Sequence, residues 1–177
     1  MANKVLDSNR IYEGKILNLR VDSVELPDGG HTKREIVEHK NGVGILPVDH
    51  AMMIFVQQYR DAVGSDLLEI PAGLVEAGED PKMTASRELQ EEIGLKPLNL
   101  APCGFVYPTP GCCDEKTYLF IANQFEAHRL EADDDEFIHV VRLPIETVRK
   151  MYDHHEFIDA KTVSTLGYYF SHQHTNE

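Results

Sequence analysis

The chain has 177 residues, 42% of them hydrophobic and 27% charged, which is enough for one main domain with a proper core and a small N-terminal addition. A formal net charge of −13 argues against a nucleic-acid partner, because a phosphate backbone calls for a basic surface. No apolar run approaches the roughly 18 residues that span a bilayer, the opening MANKVLDSNR lacks the apolar core of a signal peptide, and three cysteines are too few for a disulfide scaffold, so no membrane role is indicated and a reducing cytoplasm fits.

From Lys4 to His39 much of the sequence alternates apolar and polar residues, and ILNLRVDSVEL is broken by Pro27-Asp28-Gly29-Gly30 before HTKREIVEH. This is a hairpin signal and predicts a small antiparallel N-terminal sheet over residues 1–42, ahead of a second region over 43–177. Val43 to Val48 and Met52 to Tyr59 read as strands, the second almost wholly apolar in MMIFV and so buried on both faces. Leu67 to Ile70 is a short strand that runs into Pro71-Ala72-Gly73.

Next comes GLVEAGEDPKMTASRELQEEIGL, Gly73 to Leu95, with five glutamates, one arginine and three glycines in 23 positions. Asp80 suits an N-cap, Pro81 the first helical position and Gly94 a left-handed end, so a helix is predicted from about Pro81 to Ile93. At about 100° per residue Glu88 and Glu92 lie roughly 40° apart, with Glu91 about 60° to the other side, so the three carboxylates share one face. Ala85, Leu89 and Ile93 form the adjoining apolar arc, able to pack on a sheet.

Carboxylates this close repel one another, and Arg87 offsets only part of that. A hard cation such as Mg2+ is a natural remedy, since it prefers carboxylate oxygens and usually binds together with substrate phosphates. Charge pattern alone favours a solvated acidic face over a metal platform.

Beyond this helix, Gly104 to Tyr107, KTYLFIANQF at 116–125 and EFIHVVRL at 136–143 have strand character. Between them lie two loops, YPTPGCCDE and the acidic LEADDDE from Leu130 to Glu136. Pro144 opens a helix to about Asp153, and Asp159 can cap a last helix in which Val163, Leu166 and Phe170 share a face. Mixed strands with helices packed on them, without regular β-α-β alternation, predict an α/β or α+β fold. Cys103, Cys112 and Cys113 lack zinc-ligand spacing, and His154, His155, His172 and His174 read as solvated surface.

The Gly73–Leu95 stretch resembles the Nudix box. Gly73, Glu79, Arg87, Glu88, Leu89, Glu91, Glu92, Gly94 and Leu95 fill all nine specified positions of that pattern without a gap. The resemblance implies an α/β/α sandwich around a mixed sheet and an Mg2+-dependent hydrolase, with Mn2+ as the alternative ion, acting on a nucleoside diphosphate linked to another group. The phrases FVQQYR, LLEIPAG and YPTPG, with YEGK, KREIVEH and DAKT, are similar to the branch that hydrolyses ADP-ribose and other nucleoside diphosphate sugars, in which relatives dimerise through the N-terminal sheet.

Carried over residue by residue, the resemblance implies that Glu88, Glu92 and the backbone carbonyl of Ala72 bind the metal, with Glu91 joining them or orienting a water. Arg87 would brace the carboxylates and Glu79 the loop, a structural role shared with Gly73 and Gly94. Arg34, Glu35, Arg60 and Pro110 match substrate-binding positions, although simple surface charge describes the first three as well. Asp133, Asp135 and Glu136 are candidates for a loop carboxylate that activates water. The chain has no tryptophan, so stacking on a base would fall to Tyr12, Phe105, Tyr107 or another ring.

The implied reaction is attack of water on one phosphorus of a nucleoside diphosphate sugar, giving a nucleoside monophosphate and a sugar phosphate. The rivals are a preference for a nucleoside diphosphate hexose such as GDP-mannose, a non-catalytic nucleotide-binding regulator of the same fold, and a prenyl diphosphate isomerase. The three intact acids argue against the regulator, and the ADP-ribose-like flanks against the isomerase.

Overall fold

In the computed structural model, which describes residues 2–131 and 137–172, the alternating N-terminal sequence forms β1 (Lys4–Glu13), β2 (Leu17–Glu25) and β3 (His31–His39), an antiparallel sheet in the order β1-β2-β3. The break at Pro27–Gly30 makes the β2–β3 turn. Gly29 takes φ 84°, its N–H donates to the Leu26 carbonyl at 2.9 Å, and Asp28 Oδ1 accepts from Gly30 N–H at 2.9 Å. Every residue of β1 is exposed, including Val5, Leu6, Ile11 and Tyr12.

Residues 107–116, the predicted YPTPGCCDE loop, belong to the same unit as this sheet. Val37 N–H donates to the Cys112 carbonyl at 2.8 Å, and Asp114 N–H returns to the Val37 carbonyl at 3.2 Å. Asp114 Oδ1 also accepts from His39 N–H at 2.9 Å. The loop therefore satisfies backbone groups of β3 that an edge strand would leave open.

The second unit comprises residues 42–106 and the chain from 117 onward. Its elements are β4 (Gly42–Asp49), β5 (Met52–Arg60), β6 (Ser65–Glu69), β7 (Ala72–Leu74), α1 (Pro81–Glu92), β8 (Leu95–Pro97), β9 (Ala101–Val106), β10 (Thr117–Ala122), β11 (Phe125–Ala127), β12 (His139–Pro144), α2 (Ile145–Asp153) and α3 (Ala160–His172). Seven strands make one sheet in the order β12-β5-β4-β10-β9, with β6 on β5 and β7 on β4, while β8 and β11 pair separately. The β4–β10 pair is parallel and the other pairs are antiparallel, so the sheet is mixed.

Strand alternation sends side chains of β4 and β5 to both faces, and each face has its own core. On one side Val43, Ile45, Ile54 and Val56 pack with Ala85, Leu89 and Ile93 of the α1 region. On the other, Leu46, Val48, Met53 and Phe55 pack with Val148, Leu166 and Phe170 of α2 and α3. The result is helix, sheet, helix in three layers, and within MMIFV the residues Met53 to Val56 are buried on both faces as the composition predicts.

Departures from the sequence reading are local. The predicted strand at 116–125 divides at Ala122, because Asn99 Oδ1 accepts from the N–H groups of Asn123 and Gln124 at 3.1 and 3.2 Å and turns the chain before β11. Strands β7, β8 and β11, three residues each, are too short to show a period. β12 begins at His139 rather than Glu136, and Glu136 lies outside the described residues.

Candidate active site

Helix α1 is bounded as its sequence requires. Asp80 Oδ1 accepts from Lys82 N–H at 2.8 Å, Pro81 stands at the first position, and Gly94 takes φ 72° just past Ile93. With Ala85 and Leu89 turned fully into the core, Glu88 and Glu92 are carried to the edge of the β4–β7 layer, where each is only 7% exposed. Glu92 Oε2 accepts from Ala72 N–H at 3.2 Å. A Cβ on Gly73 would collide with the Glu88 carboxylate, so the missing side chain at this position is what lets Glu88 lie against the backbone of β7.

Arg87 gathers the remaining acids. Its Nη1 is 2.8 Å from Glu88 Oε1 and 2.7 Å from Glu91 Oε2, while Nε and Nη2 reach the two Glu79 oxygens at 3.4 Å and Nη2 donates to the Leu74 carbonyl at 3.3 Å. Partial burial alone would lower the guanidinium pKa, but the hydrogen bond to Glu79 and the charges of Glu88 and Glu91 hold it above its usual value. Glu79 is the converse: slight burial pushes its carboxyl up, and hydrogen bonds from Arg87, Thr84 and the Glu76 backbone bring it below the ordinary range.

Three carboxylates, Glu79, Glu88 and Glu91, thus stand around one guanidinium, and Glu92 on the same helix is held apart from it by Ala72 N–H, so the four acids and Arg87 carry a formal excess of three negative charges. Among the described residues no three His, Cys, Asp or Glu converge as a ready-made metal cage. Glu88 and Glu91 are drawn to Arg87, and Glu92 to Ala72 N–H. The donor chemistry nevertheless fits Mg2+ or Mn2+: these are hard carboxylate oxygens, and Mg2+ keeps several waters and completes its shell from substrate phosphate rather than from an all-protein cage.

Arg60 ends β5, and its guanidinium forks onto Glu69 at 2.8 and 2.7 Å. That hydrogen bond is the main reason its pKa is raised, against burial, with smaller contributions from the charges of Asp159 and Glu92. Arg34 and Glu35 lie exposed on β3, and Pro110 is exposed within residues 107–116, all in the N-terminal unit. Asp133, Asp135 and Glu136 lie outside the described residues. Tyr12, Phe105 and Tyr107 are half exposed, at 56, 51 and 47%.

Two features escape a reading of the sequence. Glu69, inside the apolar phrase LLEIPAG, is a buried acid that meets both Arg60 and Lys161. The segment after β11 is tied to the end of α1: His128 N–H donates to the Gly94 carbonyl at 3.1 Å, Leu130 N–H to the Gln90 carbonyl at 3.2 Å, and Arg129 Nη1 to the Glu91 carbonyl at 3.4 Å. These donors satisfy carbonyls that a helix end leaves open. Family likeness in LLEIPAG and DAKT is the only signal in the sequence that draws attention to Glu69 and Lys161.

A profile of the NUDIX domain matches residues 38–166, and one of the nucleoside diphosphate sugar hydrolase N-terminal domain matches residues 4–37. An ADP-ribose pyrophosphatase of Bacillus subtilis is 37% identical over 171 residues, covering 95% of this chain and 92% of its own. A methanol dehydrogenase activator of Bacillus methanolicus is 34% identical over 168 residues, covering 93% and 91%. The crystal structure of an ADP compounds hydrolase has the same fold, with a TM-score of 0.88 over 97% of this chain and 94% of its own at 22% identity.

Proposed function

The chain belongs to the Nudix family and is a Nudix hydrolase, and from that premise we propose that it hydrolyses the diphosphate of ADP-ribose or a related nucleoside diphosphate sugar in the cytoplasm, with Mg2+ or Mn2+, to a nucleoside monophosphate and a sugar phosphate. The observation that carries this reading is the pair of buried carboxylates, Glu88 and Glu92, held against Ala72 and Gly73 at the edge of the sheet.

In this reading Glu88, Glu92 and the Ala72 carbonyl hold the ion, and Glu91 joins them. When bound, the ion lowers the pKa of the attacking water and neutralises charge that builds on the diphosphate oxygens. Arg87 holds Glu88 and Glu91 in place through its ion pairs, and Glu79 holds Arg87 in place. Arg60 meets the diphosphate. Arg34, Glu35 and Pro110 serve the nucleotide end, and one of the exposed rings Tyr12, Phe105 and Tyr107 stacks on the base. A loop carboxylate, Asp135 ahead of Asp133 and Glu136, accepts the proton of the water as its oxygen joins phosphorus and the P–O–P bridge opens.

The working form is a homodimer in which β1–β3 of one copy meet the other. Supporting this are the exposed apolar residues Val5, Leu6, Ile11 and Tyr12 on β1, an uncovered surface unusual for a stable three-stranded sheet.

A panel of ADP-ribose, ADP-glucose, GDP-mannose and NADH with Mg2+ and product analysis tests the function. Release of AMP and ribose 5-phosphate, abolished by chelator and restored by Mg2+, is expected. Absence of turnover of every member would refute it and favour a nucleotide-binding regulator.

A further inference from the structure

Glu69 closes β6 and is 1% exposed, a carboxylate taken into the core of the larger unit. A lone buried charge is strongly unfavourable, so its partners are decisive. Arg60 Nε donates to Oε1 at 2.8 Å and Nη2 to Oε2 at 2.7 Å, while Lys161 Nζ from α3 also donates to Oε2. Lys161 Nζ is in turn 3.1 Å from Asp159 Oδ1. Asp159 Oδ2 caps α3, accepting from Thr162 N–H at 3.0 Å and Thr162 Oγ1 at 2.6 Å, and Thr162 Oγ1 accepts from Ile70 N–H at 2.9 Å. The first turn of α3 therefore grips Glu69 and Ile70, just ahead of Ala72, which Glu92 grips.

Exposure rises along this network from Glu69 at 2% through Lys161 at 13% to Arg60 at 37% of the side chain. Arg60 is its outward end, and it lies within the field of Glu92. A guanidinium has five N–H donors, and the fork onto Glu69 uses two, so three remain for an anion approaching the acidic helix.

We propose that Glu69 and Lys161 are positioning residues for the hydrolysis: Glu69 holds the plane of the Arg60 guanidinium so that its free edge meets the substrate diphosphate, and Lys161, itself held by Asp159, fixes the Glu69 carboxylate. This rests on the reading in which Arg60 meets the diphosphate. An arginine oriented in advance loses less side-chain entropy when the anion arrives, so the benefit falls on binding rather than on the chemical step.

The test uses the full chain and the variants E69Q, K161M, K161R, R60A and E69Q/R60A. Three quantities are read: KM and kcat for ADP-ribose with Mg2+, the dissociation constant of α,β-methylene ADP-ribose without divalent metal, and the melting temperature. E69Q and K161M are expected to melt cooperatively, to raise KM and the analogue dissociation constant about tenfold, about 1.4 kcal/mol, and to keep kcat within about threefold. K161R should bind the analogue like the parent, and E69Q should add nothing in the R60A background. Folded variants that bind the analogue like the parent, or an E69Q factor that persists in full on top of R60A, would overturn the inference. So would loss of folding in both E69Q and K161M, because the network would then hold the fold rather than aim Arg60. Failure of the parent to turn over ADP-ribose or any other member of the nucleoside diphosphate sugar panel would instead refute the proposed function.

Discussion

The Ala72 N–H donates to Glu92 Oε2 at 3.2 Å, so the backbone strand that enters the Nudix box and the last turn of its helix are fastened to each other at one point. The same bond ties the Pro71–Ala72 peptide, whose carbonyl accepts from Ile45 N–H at 2.9 Å, to an acid otherwise turned inward, which makes the positions of the β7 backbone and of the carboxylate interdependent.

That interdependence leads to a first expectation for Glu88→Gln and Glu92→Gln. Each substitution keeps the shape of the side chain, and the amide introduced by Glu92→Gln retains an oxygen to accept from Ala72, so both variants should fold. Each loses a negative charge proposed to hold the cation, and kcat should fall by at least about a hundredfold, roughly 2.7 kcal/mol of barrier. Steady-state assays with ADP-ribose and saturating Mg2+ check this; either variant retaining full activity would sink the metal reading.

Gly73→Ala probes the same site by shape alone. The added Cβ meets the Glu88 carboxylate, whose flexible end can move aside, and the backbone at Gly73 is not in the left-handed region. Stability should therefore change little, by about 1 kcal/mol or less, while the Mg2+ concentration for half-maximal rate rises about tenfold. Parallel urea and Mg2+ titrations separate the two effects.

Acid should weaken the fold through Glu69. Burial pushes its carboxyl up, but the hydrogen bond from Arg60 and the charge of Lys161 hold it below its ordinary 4.5. A carboxylate with a depressed pKa in the folded state contributes stability that is present above the unfolded value and is lost as pH falls through the folded one. The urea midpoint is expected to drop below about pH 4.5, and E69Q should show a shallower drop over that window. Identical slopes in parent and variant would assign acid sensitivity to other groups.

Light scattering at micromolar concentration should give twice the 20.0 kDa chain mass if β1–β3 join two copies. Replacing Val5 and Ile11, both exposed on β1 at 56 and 55%, by Glu should return the mass to that of one chain. A monomeric parent would leave Arg34 and Glu35 to act within their own copy.

Much of the site was legible in sequence because it is local. Asp80, Pro81 and Gly94 bound α1 by capping and backbone chemistry that act within a turn, and the spacing of Glu88, Glu91 and Glu92 against Ala85, Leu89 and Ile93 sets one acidic and one apolar face by helix geometry alone. The two-sided burial of Met53–Val56 and the turn at Pro27–Gly30 were equally local. What only the tertiary structure decided joins residues far apart in the chain. Residues 107–116 pair with β3, and Glu69 meets Lys161 across 92 positions. No periodicity records such meetings, because each depends on which faces the packed layers bring together, and a single acid in an apolar strand looks the same in sequence whether it is paired or not.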